Sequence, residues 1–178
     1  VRTKLVAAHR DAGIWRATLQ SGGATTEVAA RALVNTAWPW VKEVLDLVRP
    51  PDPGEGNVRH VKGSHIVVPR VHDQEHAYIL QNADKRIVFV IPYEDRYSLI
   101  GTTDVPVEAY EAPGIDSEEI DYLLELANTY LARPIRRDDI VWTYSGVRPL
   151  YDDGSSDPSE ITRDYVLKLD VAPGAGNA

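Results

Sequence analysis

The chain has 178 residues, 43% hydrophobic and 26% charged, a composition typical of a globular protein with one sizeable core. Its net charge of −8 argues against nucleic-acid binding and against docking on anionic lipid. The absence of cysteine excludes disulfides and thiolate metal sites, and no apolar run is long enough to span a membrane. Methionine is also absent, even at position 1, so we expect a piece of a longer protein.

The first segment predicts a hairpin followed by a buried strand. Residues 4–9 and 14–19 flank a short turn that contains Gly13. Gly22 and Gly23 then interrupt the pattern, and the small apolar residues of Ala32–Ala37 predict a strand.

A helix and a linker follow. Pro39 suits a first helical turn, and apolar residues then recur at helical spacing between Val41 and Val48. The run Pro50–Gly56 contains three prolines and two glycines with acidic residues between them, which predicts a linker.

The second segment is mostly strand. Apolar runs at Ile66–Val68, Arg86–Pro92 and Tyr97–Gly101 are joined by short polar turns, so they predict an antiparallel sheet. Asp116 opens a helix with acids in its first turn, and the apolar stripe from Ile120 to Leu131 has to cover one face of that sheet. Two further strands are predicted at Ile140–Tyr144 and Tyr165–Leu169. The fold class is therefore α+β.

His65 is the first candidate functional residue. It enters a strand of β-branched residues directly after Gly63 and Ser64, with Lys62 nearby. A histidine at such a place can accept or donate a proton near neutral pH, and Gly63 allows a close approach of the backbone. The alternative is a packed histidine that is hydrogen-bonded to a backbone carbonyl.

Arg148 is the second candidate. It follows Gly146 and precedes Pro149, which restricts the local backbone. Such an arginine can hold a phosphate or carboxylate with two hydrogen bonds. The alternative is a structural ion pair with Asp152 or Asp153.

Weaker patterns lie elsewhere. The segment Gly101–Asp104 carries two hydroxyls and an acid that could bind a ligand, but the pattern favours a turn closed by an Asx-type hydrogen bond. Arg163 precedes the last predicted strand, where an Arg–Asp pair is usually a solvated edge feature. No histidine or acidic spacing predicts a metal site, and the sequence has no Gly-x-Gly-x-x-Gly dinucleotide fingerprint.

Five blocks in a fixed order carry a resemblance to a known family. They are Lys62–Arg70, Arg86–Tyr93, Leu99–Asp104, Val141–Leu150 and Ile161–Tyr165. This series closely resembles the middle part of the FAD-dependent glycerol-3-phosphate dehydrogenases, the aerobic, quinone-linked family. The resemblance extends from the first hairpin to about Asp170.

The resemblance implies a fold and a set of roles. The family is built like glycine oxidase, with an FAD-binding domain and a substrate domain on an antiparallel sheet. Residues 1–49 would hold the hairpin and a small returning piece of the FAD-binding domain, residues 58–170 the substrate domain, and residues 171–178 a disordered tail. His65 matches the family histidine near flavin and substrate, Arg148 the arginine that holds substrate, and Arg163 a block that lines the same region.

The resemblance also implies FAD as cofactor, glycerol 3-phosphate as substrate and quinone as electron acceptor, in an enzyme located in the cytoplasm at the periphery of the inner membrane. It is compatible with a homo-oligomer. Two features depart from the family. The dinucleotide fingerprint is absent, so this chain alone is not expected to hold FAD and its cofactor-binding residues are unknown. Trp38 also stands where the family usually has glycine, which puts the cofactor-facing role of that segment in doubt.

Two hypotheses of function therefore stand side by side. The chain is the substrate-binding part of a flavoenzyme, or it is a non-catalytic substrate- or partner-binding domain. Within the first hypothesis, a related flavin oxidase that acts on a different substrate is the minor alternative.

Overall fold

The computed structural model describes residues 2–48, 57–152, 161 and 163–164. It divides the chain into two compact units, Val1–Val58 with Arg163–Ala178, and Arg59–Thr162. The predicted linker at 50–56, the strand at Tyr165–Leu169 and the tail after residue 170 lie outside the described residues. The predicted division at 1–49, 58–170 and 171–178 stays a prediction.

The first unit contains a three-stranded antiparallel sheet and a short helix. Strands β1 (Lys4–Asp11), β2 (Ile14–Ser21) and β3 (Ala24–Ala30) lie in that order. The predicted hairpin is β1–β2, and Gly13 takes a positive φ in its turn. A second turn through Gly22 and Gly23, which also have positive φ, adds the strand β3 that the sequence did not predict.

The strand predicted at Ala32–Ala37 is wrong. This segment has no regular secondary structure, and Asn35 explains why. Its side-chain oxygen accepts a hydrogen bond from the Ala37 N–H over 3.2 Å, and its side-chain nitrogen donates to the Val41 carbonyl over 2.8 Å. An asparagine that bonds to nearby backbone in this way stabilises a turn rather than a strand.

Helix α1 (Val41–Val48) follows a 3-10 turn, Trp38–Trp40, and packs against β1. Trp38 has φ of 52°, the left-handed region that favours glycine, and its side chain is 63% exposed. The backbone at Trp38 therefore has a conformation that glycine adopts more readily than a residue with a side chain.

The second unit is a six-stranded sheet covered by a helix. Its strands are β4 (Val58–Pro69), β5 (Tyr78–Gln81), β6 (Ile87–Tyr93), β7 (Tyr97–Gly101), β8 (Val105–Pro106) and β9 (Trp142–Tyr151). The order is β5–β6–β7–β4–β8, with β9 also paired to β4. The pairs β4–β7, β6–β7 and β5–β6 are antiparallel. The predicted antiparallel sheet through Ile66–Val68, Ile87–Ile91 and Leu99–Gly101 is confirmed.

Helix α2 (Ser117–Tyr130) covers one face of this sheet, as predicted. Asp116 is its N-cap, and Leu123, Leu126 and Ala127 are buried against apolar residues of the strands. The strand residues of this core are Ile66, Val68, Leu80, Val88, Val90 and Ile100. The residues between them on each strand point to the opposite face of the sheet, because side chains alternate along a strand.

A 3-10 turn, Arg137–Asp139, leads into β9, which continues to residue 151, beyond the predicted end at Tyr144. Pro149 lies inside this strand, a position that proline accepts where its missing N–H is not needed for a ladder. Among the described residues, no helix is both long and apolar enough to cross a membrane.

Candidate active site

His65 lies on the face of the sheet opposite α2. It is paired with Gly101 of β7, and its imidazole lies over that glycine, because a Cβ built on Gly101 would fall closer than 3.0 Å to three ring atoms. The ring also stacks on Tyr144 of β9, with centroids 4.8 Å apart and planes 5° from parallel. The glycine and the tyrosine together fix the plane of the imidazole.

The surroundings of His65 favour its neutral form. Burial lowers the pKa of the imidazole below its usual 6.5, and the positive charge of Arg148 lowers it further. The Nδ1 atom is buried and has no hydrogen-bond partner among the described residues. The alternative of a histidine bonded at Nδ1 to a backbone carbonyl is therefore not what the described structure contains.

Arg148 lies inside β9. The sequence had instead predicted that this strand ends at Tyr144, before the arginine. Its guanidinium donates to the Asp104 carboxylate over 3.1 Å, to the Thr102 hydroxyl over 2.9 Å and to the Thr103 carbonyl over 3.4 Å. The Asp104 side chain is only 8% exposed. The sequence alternative for Arg148 was an ion pair with Asp152 or Asp153. The described ion pair of Arg148 is with Asp104, Asp152 lies 3.9 Å from Arg59, and Asp153 lies outside the described residues.

The guanidinium of Arg148 lies against the backbone of Gly63. A Cβ on Gly63 would come closer than 3.0 Å to both terminal nitrogens of Arg148 and to the Thr102 hydroxyl. Gly63 and His65 are alternate residues of β4 and therefore share a face. The His65 imidazole and the Arg148 guanidinium therefore lie on the same face of the sheet. Each packs against a glycine backbone where a side chain would clash, His65 against Gly101 and Arg148 against Gly63.

The opposite face holds a buried polar network around Glu119 of α2, which is 3% exposed. The Ser64 and Thr103 hydroxyls donate to Glu119 Oε1 over 2.8 and 2.6 Å. The Lys62 ammonium lies 2.8 Å from Oε2, and the Asp116 N–H donates to Oε2 over 3.0 Å. The sequence had placed Lys62 beside His65, but the lysine points to this network instead.

Several residues of the site were not predicted from the sequence. Glu119 was recognised only as an acid in the first helical turn, and Tyr144 only as part of a strand. The segment Gly101–Asp104, for which the sequence favoured a turn over a ligand site, supplies partners of Arg148. The peptide bond between Gly101 and Thr102 is cis.

Arg163 is exposed, and it groups with the first compact unit, whereas His65 and Arg148 belong to the second. Its predicted substrate-binding role stays a prediction. Across residues 2–48 and 57–152 and the few described beyond them, no group of three or more His, Asp or Glu is placed to hold a metal ion.

Comparison with known proteins identifies the family. The model of the FAD dependent oxidoreductase family matches residues 2–167. The chain therefore belongs to the FAD dependent oxidoreductases. This membership confirms the class of protein that the five sequence blocks indicated.

Individual relatives narrow the likeness. The chain is 51% identical over 172 residues to the aerobic glycerol-3-phosphate dehydrogenase of Escherichia coli K12, covering 94% of this chain and 34% of that protein. It is 45% identical over 177 residues to D-erythritol 1-phosphate dehydrogenase of Brucella abortus, covering 98% of this chain and 35% of that protein. The chain thus spans about a third of the length of these relatives, and its resemblance to glycerol-3-phosphate dehydrogenase is confirmed.

Solved structures show the same fold. The glycerol-3-phosphate dehydrogenase of Bacillus halodurans complexed with FAD superposes with a TM-score of 0.72 at 26% identity, covering 83% of this chain and 31% of that one. Glycine oxidase of Bacillus cereus superposes with a TM-score of 0.63 at 17% identity, covering 89% of this chain and 42% of that one. The glycine-oxidase-like α+β fold that the sequence predicted is confirmed.

Proposed function

We propose that this chain is the substrate-binding part of a flavoenzyme that oxidises sn-glycerol 3-phosphate to dihydroxyacetone phosphate. The observation that carries the proposal is that His65 and Arg148 lie on the same face of the sheet. The pKa of His65 is lowered there, and its Nδ1 atom has no hydrogen-bond partner among the described residues. The 51% identity to a protein named for this activity supports the choice of substrate.

His65 supplies the base. Oxidation of a secondary alcohol removes a hydride from carbon and a proton from the hydroxyl. FAD, when bound, accepts the hydride. An imidazole with a lowered pKa is neutral at pH 7 and can take the proton, a role that typically contributes about 10²–10⁴-fold to the rate. Stacking on Tyr144 keeps the ring in one plane, so the proton acceptor is positioned before substrate arrives.

Arg148 supplies the permanent positive charge. A guanidinium stays charged in proteins and presents its donors in a fixed planar fork, so it suits a phosphate better than a lysine does. Thr102 and Asp104 orient it through hydrogen bonds of 2.9 and 3.1 Å. Its side chain is 26% exposed, so substrate can approach it from the surface of this unit. We also propose Arg163 as a second substrate-binding cation, on the strength of its match to the family block Ile161–Tyr165.

The residues of this chain fit the substrate side of a flavin site. His65 and Arg148 lie on the same face of the sheet, which supports this assignment. His65 would accept the proton of the substrate hydroxyl, and Arg148 would bind the phosphate. The sequence has no dinucleotide fingerprint, so the groups that bind the FAD pyrophosphate are not proposed among these residues.

The electron acceptor and location follow the same resemblance. We propose that electrons pass on to quinone and that the intact enzyme works in the cytoplasm at the periphery of the inner membrane. The support is the likeness to a protein named as an aerobic glycerol-3-phosphate dehydrogenase.

A second substrate has a specific observation in its favour. The 45% identity to D-erythritol 1-phosphate dehydrogenase covers 98% of this chain. Both substrates carry a phosphate and a secondary hydroxyl, so the same base and the same cation would serve either one. The difference between them lies in the length of the polyol.

Anaerobic reduction of the flavin tests the proposal. The intact enzyme that carries this chain is mixed with glycerol 3-phosphate, D-erythritol 1-phosphate or glycerol, and the loss of visible flavin absorbance is followed. We expect glycerol 3-phosphate to reduce the flavin fastest and His65→Gln to slow that step. Faster reduction by D-erythritol 1-phosphate would assign the second substrate, and a flavin that stays oxidised with both phosphates would contradict the proposal.

A further inference from the structure

Glu119 is hydrogen-bonded to β4 and to the segment after β7, and through Ser64 it is also linked to β9. These are the parts of the chain that carry the candidate active site. We propose that Glu119 is a positioning residue, a buried carboxylate that fixes His65 and Arg148 from the opposite face of the sheet. The inference rests on the proposed function for its kinetic consequences. Its structural part stands on the contacts of Glu119 alone.

The partners of Glu119 are the chain neighbours of the site residues. Ser64, which donates to Glu119, directly precedes His65 in β4. Lys62, which pairs with Glu119, directly precedes Gly63, the glycine against which Arg148 lies. Since side chains alternate across a strand, anchoring one residue on the helix face fixes its neighbour on the site face.

The same relationship holds in the segment after β7. Thr103 donates to Glu119 over 2.6 Å, and it stands between Thr102 and Asp104, which both accept hydrogen bonds from Arg148. The Thr103 hydroxyl also accepts the Ser64 N–H over 2.9 Å, so it ties this segment to β4 directly beside His65.

The network extends to β9 in a defined direction. Because the single proton of the Ser64 hydroxyl goes to Glu119, the 2.8 Å contact between Ser64 and Ser145 has Ser145 as its donor. Ser145 directly follows Tyr144, the residue that stacks on His65. The carboxylate is therefore linked to both β4 and β9, and to the segment after β7, which together supply His65, Tyr144, Arg148 and the partners of Arg148.

Glu119 is suited to this role because its acceptor capacity is filled. A carboxylate offers about four lone-pair sites, and four donors approach it: two hydroxyls at Oε1, and an ammonium and a backbone N–H at Oε2. A glutamine at this position places an NH2 group against donors in either orientation of its amide. Glu119→Gln preserves the shape of the side chain and removes its ability to satisfy these partners.

The main test compares Glu119→Gln with Leu126→Ala. Leu126 lies on the same helix, is 7% exposed and packs in the apolar core away from the network, so its truncation loosens the same contact between helix and sheet. The first readout is the titration of His65 in the intact enzyme, followed by proton NMR of its imidazoles. The groups that face His65 are Arg148 and the ring of Tyr144.

We expect Glu119→Gln to raise the pKa of His65 toward its usual value, because the ring loses part of its burial and the hold of Arg148 against β4 loosens. Leu126→Ala is expected to leave this pKa at the wild-type value. The second readout is kcat of the intact enzyme at a temperature where circular dichroism shows each variant folded. At that temperature, kcat of Glu119→Gln should fall by up to about 100-fold, which is the loss that a small misplacement of reacting groups can cause. Leu126→Ala should keep the wild-type kcat.

Thr103 provides a milder pair of variants in case Glu119→Gln does not fold. Thr103→Val removes the hydroxyl that links Glu119 to Ser64, and Thr103→Ser keeps it, so only the valine variant should shift the His65 titration. A wild-type titration or wild-type turnover in folded Glu119→Gln, or in folded Thr103→Val, would overturn the proposal. An intact wild-type enzyme that does not oxidise glycerol 3-phosphate would instead contradict the proposed function, and the titration would still decide the role of Glu119.

Discussion

The Arg148 guanidinium donates a hydrogen bond to the Asp104 carboxylate over 3.1 Å, and the Asp104 side chain is 8% exposed. The proposed substrate-binding cation is therefore held in place by a nearly buried acid. Hydrogen bonds to charged groups contribute roughly 1.5–3 kcal/mol, enough to fix an otherwise flexible side chain.

This pair predicts a coupling between two substitutions. Asp104→Ala should raise KM for glycerol 3-phosphate in the same direction as Arg148→Ala, because the guanidinium loses its anchor. The double variant should cost about as much as Arg148→Ala alone, since Asp104 acts through the arginine. Steady-state kinetics of the three variants measures this, and losses that simply add would show that Asp104 contributes independently of Arg148.

Gly101 and Gly146 form a matched pair for testing the position of the imidazole. A Cβ at Gly101 would lie closer than 3.0 Å to the His65 ring, whereas a Cβ at Gly146 meets nothing within 4 Å. Gly101→Ala should displace the ring and lower kcat by about 100-fold, with a stability cost of roughly 1–3 kcal/mol for overpacking. Gly146→Ala should leave kcat unchanged. Equal kcat in the two variants would show that the ring position does not matter for turnover.

The pH dependence of activity should follow the lowered pKa of His65. A base must be neutral, so kcat/KM should hold through pH 7 and fall only as the pH drops through a value below 6.5. Burial is the main cause of that lowering, and the charge of Arg148 is the second. Arg148→Ala should therefore move the acid limb upward, toward 6.5.

The histidine itself is tested by the same profile. His65→Gln should lower kcat about 10²–10⁴-fold and remove the acid limb. Full turnover with an unchanged limb in this variant would mean that His65 only packs and that the base lies elsewhere.

The second unit should lose stability at alkaline pH. Burial lowers the pKa of Lys62, but its contacts with Glu119 and Asp116 together outweigh burial and raise the pKa above 10.5. The stability from these contacts is therefore present below pH 10.5 and is lost as the pH rises through the raised value. Burial raises the pKa of Tyr122 from 10.0 to about 12, so between these values the unfolded state gives up a proton that the folded state keeps. Both effects lower the free energy of unfolding above pH 10.

Denaturant unfolding at several pH values between about 8 and 12 measures this loss in the free energy of unfolding. Tyr122→Phe should flatten the decline between pH 10 and 12, where Tyr122 contributes. Leu126→Ala should lower stability by a similar amount at every pH, because it removes no titrating group. A decline that is equally steep in Tyr122→Phe would contradict the assignment to Tyr122.

The sheet of the second unit was predictable because its signals are local. Short polar turns between apolar runs define antiparallel neighbours, and the acids after Asp116 mark the start of a helix. The strand predicted at Ala32–Ala37 failed because apolar composition does not reveal that the Asn35 side chain bonds to the backbone of two residues that follow it, Ala37 and Val41.

The site was predictable only in part. The types of His65 and Arg148 and their neighbouring glycines indicated chemistry, but no spacing in the sequence shows that Gly101 lies beneath His65 or that Asp104 meets Arg148. These contacts depend on the pairing of β4 with β7 and on the path of β9. Glu119 was missed because an acid in the first helical turn already has a sufficient local explanation, its reciprocal capping with Asp116.

The most direct test of the proposed function compares glycerol 3-phosphate with glycerol in the intact enzyme. Arg148→Ala should cost roughly 1.5–3 kcal/mol in binding the phosphate substrate and little with glycerol, and Arg148→Lys should recover only part, since an ammonium cannot form two parallel hydrogen bonds. Arg137→Ala is the control, because it removes an exposed arginine of the same unit that pairs with Asp121. It should leave kcat/KM unchanged for both glycerol 3-phosphate and glycerol. The account predicts a narrowed gap in kcat/KM between the two substrates in Arg148→Ala alone. An unchanged gap would contradict it and leave Arg148 as a structural partner of Asp104.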